Sequence, residues 1–78
     1  MESTLSSISP GSHFVVSSVR GRGVLRKRLL DLGFVMGAQG LVLRRGLFGG
    51  PVLLKLGRDR IALRGDEARA LEVTSAHG

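Results

Sequence analysis

The chain has 78 residues and no cysteine, which excludes a disulfide framework and a metal site built from thiolates. Its twelve lysine and arginine residues outnumber six acidic residues, and the net charge of +6 favours an acidic protein surface, an anionic lipid surface or nucleic acid as a partner. The apolar runs are too short for a membrane-spanning helix, and the first residues do not form the pattern of a signal peptide.

The N-terminal part of the sequence is predicted to lead into one β-strand. Residues 1–7 are polar and rich in serine, so we expect most of them to be frayed. Leu5 and Ile8 are the first apolar residues that are expected to anchor the chain. The stretch from His13 to Val19 contains several β-branched residues, and this composition predicts the first strand.

A short helix with a well-marked end is predicted after this strand. Leu25, Leu29 and Leu32 recur at i, i+4 and i+7, the spacing of one helical face, so we expect all three to face the core. Gly33 follows them at the position where a left-handed residue commonly ends a helix. Phe34 then stands where an apolar side chain packs back on the last turn.

Four further short strands are predicted after the helix. They cover residues 41–45, 52–56, 60–63 and 71–73. Residues 65–70 are predicted to form one helical turn with Asp66 as its candidate N-cap, and the polar tail over residues 74–78 is expected to be loose.

Five short strands in a chain of this size must hide their edges, and a small closed barrel does so. The sequence therefore predicts a mainly β fold, a small SH3-like barrel of about five strands with one short helix after the first strand. We expect a single domain over residues 1–78 with an ordered core over residues 5–73.

Four segments of the sequence together resemble the FeoA family. They are Leu5-Ser6-Ser7-Ile8-Ser9-Pro10-Gly11, Arg28-Leu29-Leu30-Asp31-Leu32-Gly33-Phe34-Val35-Met36-Gly37, Leu47-Phe48-Gly49-Gly50-Pro51 and Ile61-Ala62-Leu63-Arg64-Gly65-Asp66-Glu67-Ala68. The resemblance extends over nearly the whole chain. It implies a small cytoplasmic SH3-like protein that works with the bacterial ferrous-iron transporter FeoB. The sequence departs from the family pattern at Met36, where proline is usual, and at Gly50, where aspartate is usual.

The resemblance implies a non-enzymatic accessory or regulatory protein that docks on the cytoplasmic portion of an FeoB-like membrane transporter. We accordingly expect it in the cytoplasm or at the inner membrane through this partner, with a homo-oligomer left open. A similar barrel occurs as the C-terminal domain of iron-dependent repressors, so that role is an alternative.

The residues themselves indicate no catalytic or metal site. His13 and His77 lie near opposite ends of the chain, and no cysteine is present as a nucleophile. The glycine-rich stretch 46–50 has no Lys-Ser/Thr after it, so it is not a phosphate-binding loop. Asp66 and Glu67 are not part of a calcium-loop pattern. We expect no enzyme activity, cofactor, metal or small-molecule substrate.

Two groups of residues are candidates for a partner surface. Leu47 and Phe48 are large apolar residues on a glycine-rich loop, where they would either contact a partner or cover one end of the core as a lid. Arg26, Lys27 and Leu30 are predicted to lie on the outer face of the helix, where Leu30 would be either a contact or an isolated surface leucine.

The positive charge has two other interpretations. It is typical of a protein from an arginine-preferring proteome, and it is also compatible with a barrel that binds nucleic acid, which is the competing function. Readers of single strands usually stack bases on aromatic side chains, and this sequence has three phenylalanines and no tyrosine or tryptophan. The same scarcity of aromatic residues disfavours a groove for proline-rich peptides. Nucleic acid is therefore the less favoured partner.

Overall fold

The computed structural model describes residues 2–76 as one antiparallel sheet with two short helices. The six strands are β1 (Glu2–Thr4), β2 (His13–Val19), β3 (Gln39–Arg45), β4 (Val52–Leu56), β5 (Asp59–Leu63) and β6 (Leu71–Ala76). The helices are α1 (Gly23–Asp31) and α2 (Gly65–Arg69), and a single 3₁₀ turn covers Leu5–Ser7. The strands lie in the order β1-β6-β2-β3-β4-β5.

The sheet curls around one hydrophobic core. Side chains alternate between the core and the outer face along the strands, as the period of a β-strand requires. The fully buried members come from five strands, from both helices, from the 3₁₀ turn and from the residue Phe34 after α1. They form one cluster, which also includes Phe14, Leu29, Val42, Leu54, Leu63 and Val73. The predicted mainly β fold with a short helix is therefore confirmed.

Helix α1 presents the predicted face to the core. Leu29 is completely buried, and Leu25 and Leu32 are half-buried and pack against the same cluster. The leucines that flank the centre of this face are partly exposed because the helix has only nine residues and lies at the surface of the sheet.

The end of α1 also follows the prediction. Gly33 has a φ of 108° and its N–H donates to the carbonyl oxygen of Leu30 (3.0 Å). The N–H of Phe34 donates to the carbonyl oxygen of Leu29 (3.1 Å), and the Phe34 ring is fully buried. These two hydrogen bonds form a Schellman motif, so a glycine is required where the chain reverses.

The two ends of the chain differ from the prediction. Strand β1 lies where we expected frayed residues, because Ser3 pairs with Val73 and Leu5 is completely buried just after it. Strand β6 extends to Ala76, through much of the tail expected to be loose, because it is paired with β1 on one side and with β2 on the other. The sheet thus has six strands rather than five, and α1 follows the second strand. His77 lies outside the described residues.

Helix α2 lies within the predicted residues 65–70, but its N-cap differs from the prediction. Its N-cap is Arg64, and Asp66 lies in the first turn instead of capping it. The side chain of Glu67 turns back, and its Oε1 accepts a hydrogen bond from the Arg64 N–H (2.8 Å). Asp66 and Glu67 also place negative charge at the end of the helix where it is favourable.

No helix within residues 2–76 is both long enough and apolar enough to cross a lipid bilayer.

Candidate functional site

The loop between β3 and β4 is closed by its own backbone. The N–H of Gly46 donates to the carbonyl oxygen of Pro51 (2.7 Å), which joins the two ends of the loop. Within it, the N–H of Gly50 donates to the carbonyl oxygen of Leu47 (3.0 Å) and closes a tight turn. The loop therefore holds its tip in a defined conformation.

The tip of this loop presents two apolar side chains to solvent. Leu47 is 82% exposed and Phe48 is fully exposed, so the alternative that they cover the core as a lid is wrong. Phe48 has a φ of 56° and Gly49 a φ of 71°, the pattern of a type I′ turn, which favours asparagine and glycine over a bulky residue. Phe48 thus combines an unfavourable backbone conformation with an aromatic ring that has no contact in the core.

The loop rests on the first turn of α2. A side chain at Gly65 would collide with the carbonyl oxygen of Gly49 and would approach the guanidinium of Arg69. The close approach of the two backbones requires glycine at position 65 and fixes the loop relative to α2.

The second candidate region, on α1, differs in part from the prediction. Arg26 and Lys27 are exposed, and Nζ of Lys27 lies 2.9 Å from Oδ2 of Asp31. Leu30 is half-buried rather than outward-facing. The prediction for Leu30 used only its angle around the helix axis. The chain reverses at Gly33, however, and this reversal brings the residues after the helix back to the end of α1 where Leu30 lies.

The structure relates the two candidate regions through α2. Nε of Arg28 on α1 donates to Oε2 of Glu67 (2.7 Å), a side chain that is 7% exposed. The loop reaches the same turn of α2 through Gly49 and Gly65. Both regions therefore border α2, and no hydrogen bond or ion pair among residues 2–76 joins them directly.

Three further exposed apolar residues were missed by sequence reasoning. Val24 in the first turn of α1 is 83% exposed, and Val35 and Met36 in the turn after the helix are also exposed. The N–H of Ala38 donates to the carbonyl oxygen of Val35 (2.9 Å), so Met36 and Gly37 occupy the centre of a β-turn. A proline is usual at the first of these positions, and that preference was the available signal for an exposed turn.

The described residues form three ion pairs, and they leave most of the cations without an acidic partner. The pairs are Arg20–Glu72, Lys27–Asp31 and Arg28–Glu67. Hydrogen bonds from Arg20 and then from Ser18 lower the pKa of Glu72 below its usual value. His13 is exposed, and no group of three metal-ligating side chains occurs within residues 2–76. The described surface therefore combines exposed apolar side chains with an excess of positive charge.

Comparison with known proteins supports the resemblance. The family model of the FeoA domain matches residues 3–75. A curated relative from Porphyromonas gingivalis, an Fe(2+) transport protein A/Fe(2+) transporter FeoB fusion protein, is 36% identical over 69 residues. That match covers 88% of this chain and only 8% of the fusion protein.

Solved structures agree on the fold. FeoA from Stenotrophomonas maltophilia, a prokaryotic SH3 domain protein solved as a complex with zinc, has a TM-score of 0.82 and 34% identity, with 92% of this chain and 89% of that chain covered. A manganese-dependent transcriptional repressor has a TM-score of 0.87 at 18% identity, with 96% of this chain and 42% of that chain covered, and shows the fold alone. The predicted SH3-like class is thus confirmed. Because the family model spans nearly the whole sequence, the chain belongs to the FeoA family, which is linked to ferrous-iron transport.

Proposed function

We propose that this chain is a non-enzymatic accessory protein of ferrous-iron transport that docks on the cytoplasmic portion of an FeoB-like transporter through Leu47 and Phe48. The observation that carries the proposal is the full exposure of Phe48 in a left-handed backbone conformation. The Porphyromonas gingivalis relative, in which the two proteins form one polypeptide, supports the choice of partner.

Free energy considerations support a binding role for Phe48. A bulky residue in the left-handed region costs about 1–2 kcal/mol, and the exposed ring returns no burial to offset this cost in the free protein. Aromatic residues are common anchors in protein interfaces, where they fill a pocket of the partner. The closed loop also fixes the backbone that carries the ring before binding, which reduces the entropy lost on association.

The exposed surface of α1 supplies the second part of the proposed interface. Arg26 and Lys27 give it positive charge, and the half-buried Leu30 offers a small apolar area beside them. Charges at the rim of an interface mainly guide the encounter and set its orientation. We assign the anchoring contact to the loop and the steering of an acidic partner surface to α1.

Surface plasmon resonance on the immobilised cytoplasmic portion of the transporter tests the assignment. Phe48→Ala should weaken binding by about 2 kcal/mol or more, the size of an aromatic hot spot, chiefly through faster dissociation. Met36→Ala is the matched control, because it also truncates a large exposed apolar residue in a turn but lies outside the proposed contact. If folded Phe48→Ala dissociates at the wild-type rate, the loop is not the anchor.

A further inference from the structure

The turn of the β4–β5 hairpin determines which backbone N–H and C=O groups of β5 point away from β4, toward the free edge of the sheet. Gly57 has a φ of 59° in the two-residue turn that joins Leu56 to Asp59, which is typical of a type II′ hairpin. The residues that flank such a turn exchange hydrogen bonds, and the pairs then alternate along the ladder. Arg60 and Ala62 therefore direct their backbone N–H and C=O groups away from β4.

Strand β5 is an edge of the sheet. It pairs with β4 alone, and no backbone hydrogen bond to another segment of residues 2–76 involves Arg60 or Ala62. Both residues are exposed. The strand thus offers two unpaired donors and two unpaired acceptors in a row, the arrangement that accepts an additional strand.

Two cations lie directly opposite each other beside this edge. Lys55 on β4 pairs in register with Arg60 on β5, both side chains are exposed, and neither forms an ion pair among the described residues. They occupy a pair without mutual hydrogen bonds, in which facing side chains lie closest. Like charges placed directly opposite destabilise a sheet. An anionic group bound between them would relieve the repulsion.

Protection of the edge against aggregation does not explain this arrangement. A charge on the edge strand is sufficient for that purpose, and Arg60 supplies it. Lys55 lies on the next strand inward, where a second positive charge adds repulsion without shielding any unpaired backbone group. The pair is explained better by a negatively charged ligand.

An apolar groove continues along the same outer surface. It has a volume of ≈ 320 Å³ and is lined by Pro51, Leu53 and Ala62 together with Arg44, Arg45 and Gly46. Leu53 lies opposite Ala62 in the register, so the groove follows β5 beyond the Lys55 and Arg60 pair. Aromatic side chains, on which bases would stack, are absent from its lining.

We propose that the free edge of β5 receives an acidic, extended segment of a protein partner as an additional strand. The segment would bond to the backbone of Arg60 and Ala62, place carboxylates near Lys55 and Arg60, and lay small apolar side chains over the groove. The proposal does not depend on the contact made by Phe48, and synthetic peptides test it without the transporter.

The probe is a short peptide, capped at both ends, with threonine at every second position and, on the other face of the strand, glutamates followed by alanines. Its binding is followed by NMR, where the amide signals of Arg60 and Ala62 should shift, and by calorimetry at low and high salt. Arg60→Glu should weaken binding about tenfold or more, because the carboxylate at this position would repel the glutamates of the peptide. Arg22→Glu, the same change at an exposed residue outside the β4–β5 hairpin and the groove, should leave it unchanged. A peptide with lysine in place of glutamate should not bind.

The backbone contact is tested separately. Ala62→Pro removes an N–H that points away from β4, so the hairpin should fold while peptide binding is lost. A peptide with N-methyl groups on the alternate residues that face β5 provides the same test without altering the protein.

Four outcomes would overturn the proposal: no binding of the acidic peptide, unchanged binding by Arg60→Glu, full binding of the N-methylated peptide, or tighter binding of an oligonucleotide at the same residues.

Discussion

Phe48 and Gly49 stand side by side at the centre of the exposed turn, and both have positive φ, although only glycine adopts that conformation without strain. The neighbouring Leu47 is equally apolar and highly exposed but does not have a positive φ. The loop therefore exposes two apolar side chains, but only Phe48 has a strained backbone. Substitutions at the two positions can thus distinguish an effect on stability from an effect on binding.

Phe48→Asn should raise the stability of the free protein and weaken its binding. Asparagine is the residue favoured before glycine in a type I′ turn, so the free energy of unfolding should rise by about 1 kcal/mol. The apolar anchor is lost at the same time, so affinity for the transporter should fall. Urea denaturation and surface plasmon resonance measure the two effects.

Leu47→Asn is the control for this substitution. It removes a comparable exposed apolar side chain without relieving backbone strain, so it should not stabilise the protein. A loss of stability in Phe48→Asn would show that the ring contributes to the fold.

Substitutions along α1 should separate core from surface. Leu29→Ala should lower the free energy of unfolding by about 2–5 kcal/mol, because it leaves a cavity within the buried cluster. Leu30→Ala should cost about 1 kcal/mol, since that side chain is only half-buried. Val24→Ala, at a highly exposed position of the same helix, is the control and should change little. Equal losses for Leu29→Ala and Leu30→Ala would contradict the observed helix phase.

Met36→Pro should stabilise the protein by about 0.4–1 kcal/mol, because proline restricts the unfolded chain at a position whose native turn accepts it. Gly37 has a φ of 89° at the next position, as in a type II turn, where proline is common at the preceding residue. The N–H of Met36 forms no backbone hydrogen bond within the described residues. Thermal unfolding measures the gain.

Val35→Pro is the contrasting substitution. The N–H of Val35 donates to the carbonyl oxygen of Gly33 (2.8 Å), so proline at that position removes a hydrogen bond and should lower the melting temperature. A gain in stability from Val35→Pro would argue against this hydrogen bond, and a loss from Met36→Pro would argue against the turn geometry described for Met36.

The parts of the fold that depend on local signals could be predicted from the sequence. Gly33 and Phe34 end α1 through hydrogen bonds to residues a few positions away in the sequence. The spacing of the leucines, the glycine and the phenylalanine was therefore enough to predict where the helix ends. Strand β1 could not be found in this way. Ser3 is held by Val73 from the far end of the chain, and nothing in a serine-rich segment signals a partner so distant.

The candidate site was predictable only as a set of residue types. A phenylalanine among glycines is compatible with a lid or with an exposed anchor, and only the backbone conformation and exposure of Phe48 distinguish them. The juxtaposition of Lys55 and Arg60 depends on the register of two strands. Register is fixed by the turn at Gly57, whereas the sequence predicted only two strands, over residues 52–56 and 60–63, and did not show which of their side chains face each other.

Lowering the pH should remove the contribution of Glu72 to stability. Its pKa is depressed in the folded protein by the hydrogen bonds from Arg20 (2.8 Å) and Ser18 (2.9 Å). A depressed pKa means that the ionised side chain stabilises the fold above its unfolded pKa of about 4.3, and that this stabilisation is lost as the pH falls through the lower folded value.

Glu72→Gln is the matched variant for this measurement, because it keeps the shape of the side chain and removes its titration. Urea denaturation at pH 7 and at pH 3 should show a smaller loss of stability on acidification in Glu72→Gln than in the wild type. An identical pH dependence in the two proteins would show that the interaction with Arg20 does not persist in solution.

The cations on α1 should differ in their effect on association with the transporter. Nζ of Lys27 lies 2.9 Å from Oδ2 of Asp31, whereas Arg26 forms no ion pair among the described residues. Since part of the Lys27 charge is already compensated, Arg26→Ala should slow association more than Lys27→Ala, and both should change affinity by only about 0–1 kcal/mol. Asp31→Asn removes the compensation and should speed association with an acidic partner surface. Surface plasmon resonance at several salt concentrations measures these rates, and the differences should vanish at high salt because exposed charges are then screened. Slower association of Asp31→Asn would mean that the partner presents positive charge to α1, and the steering role assigned to this helix would then be wrong.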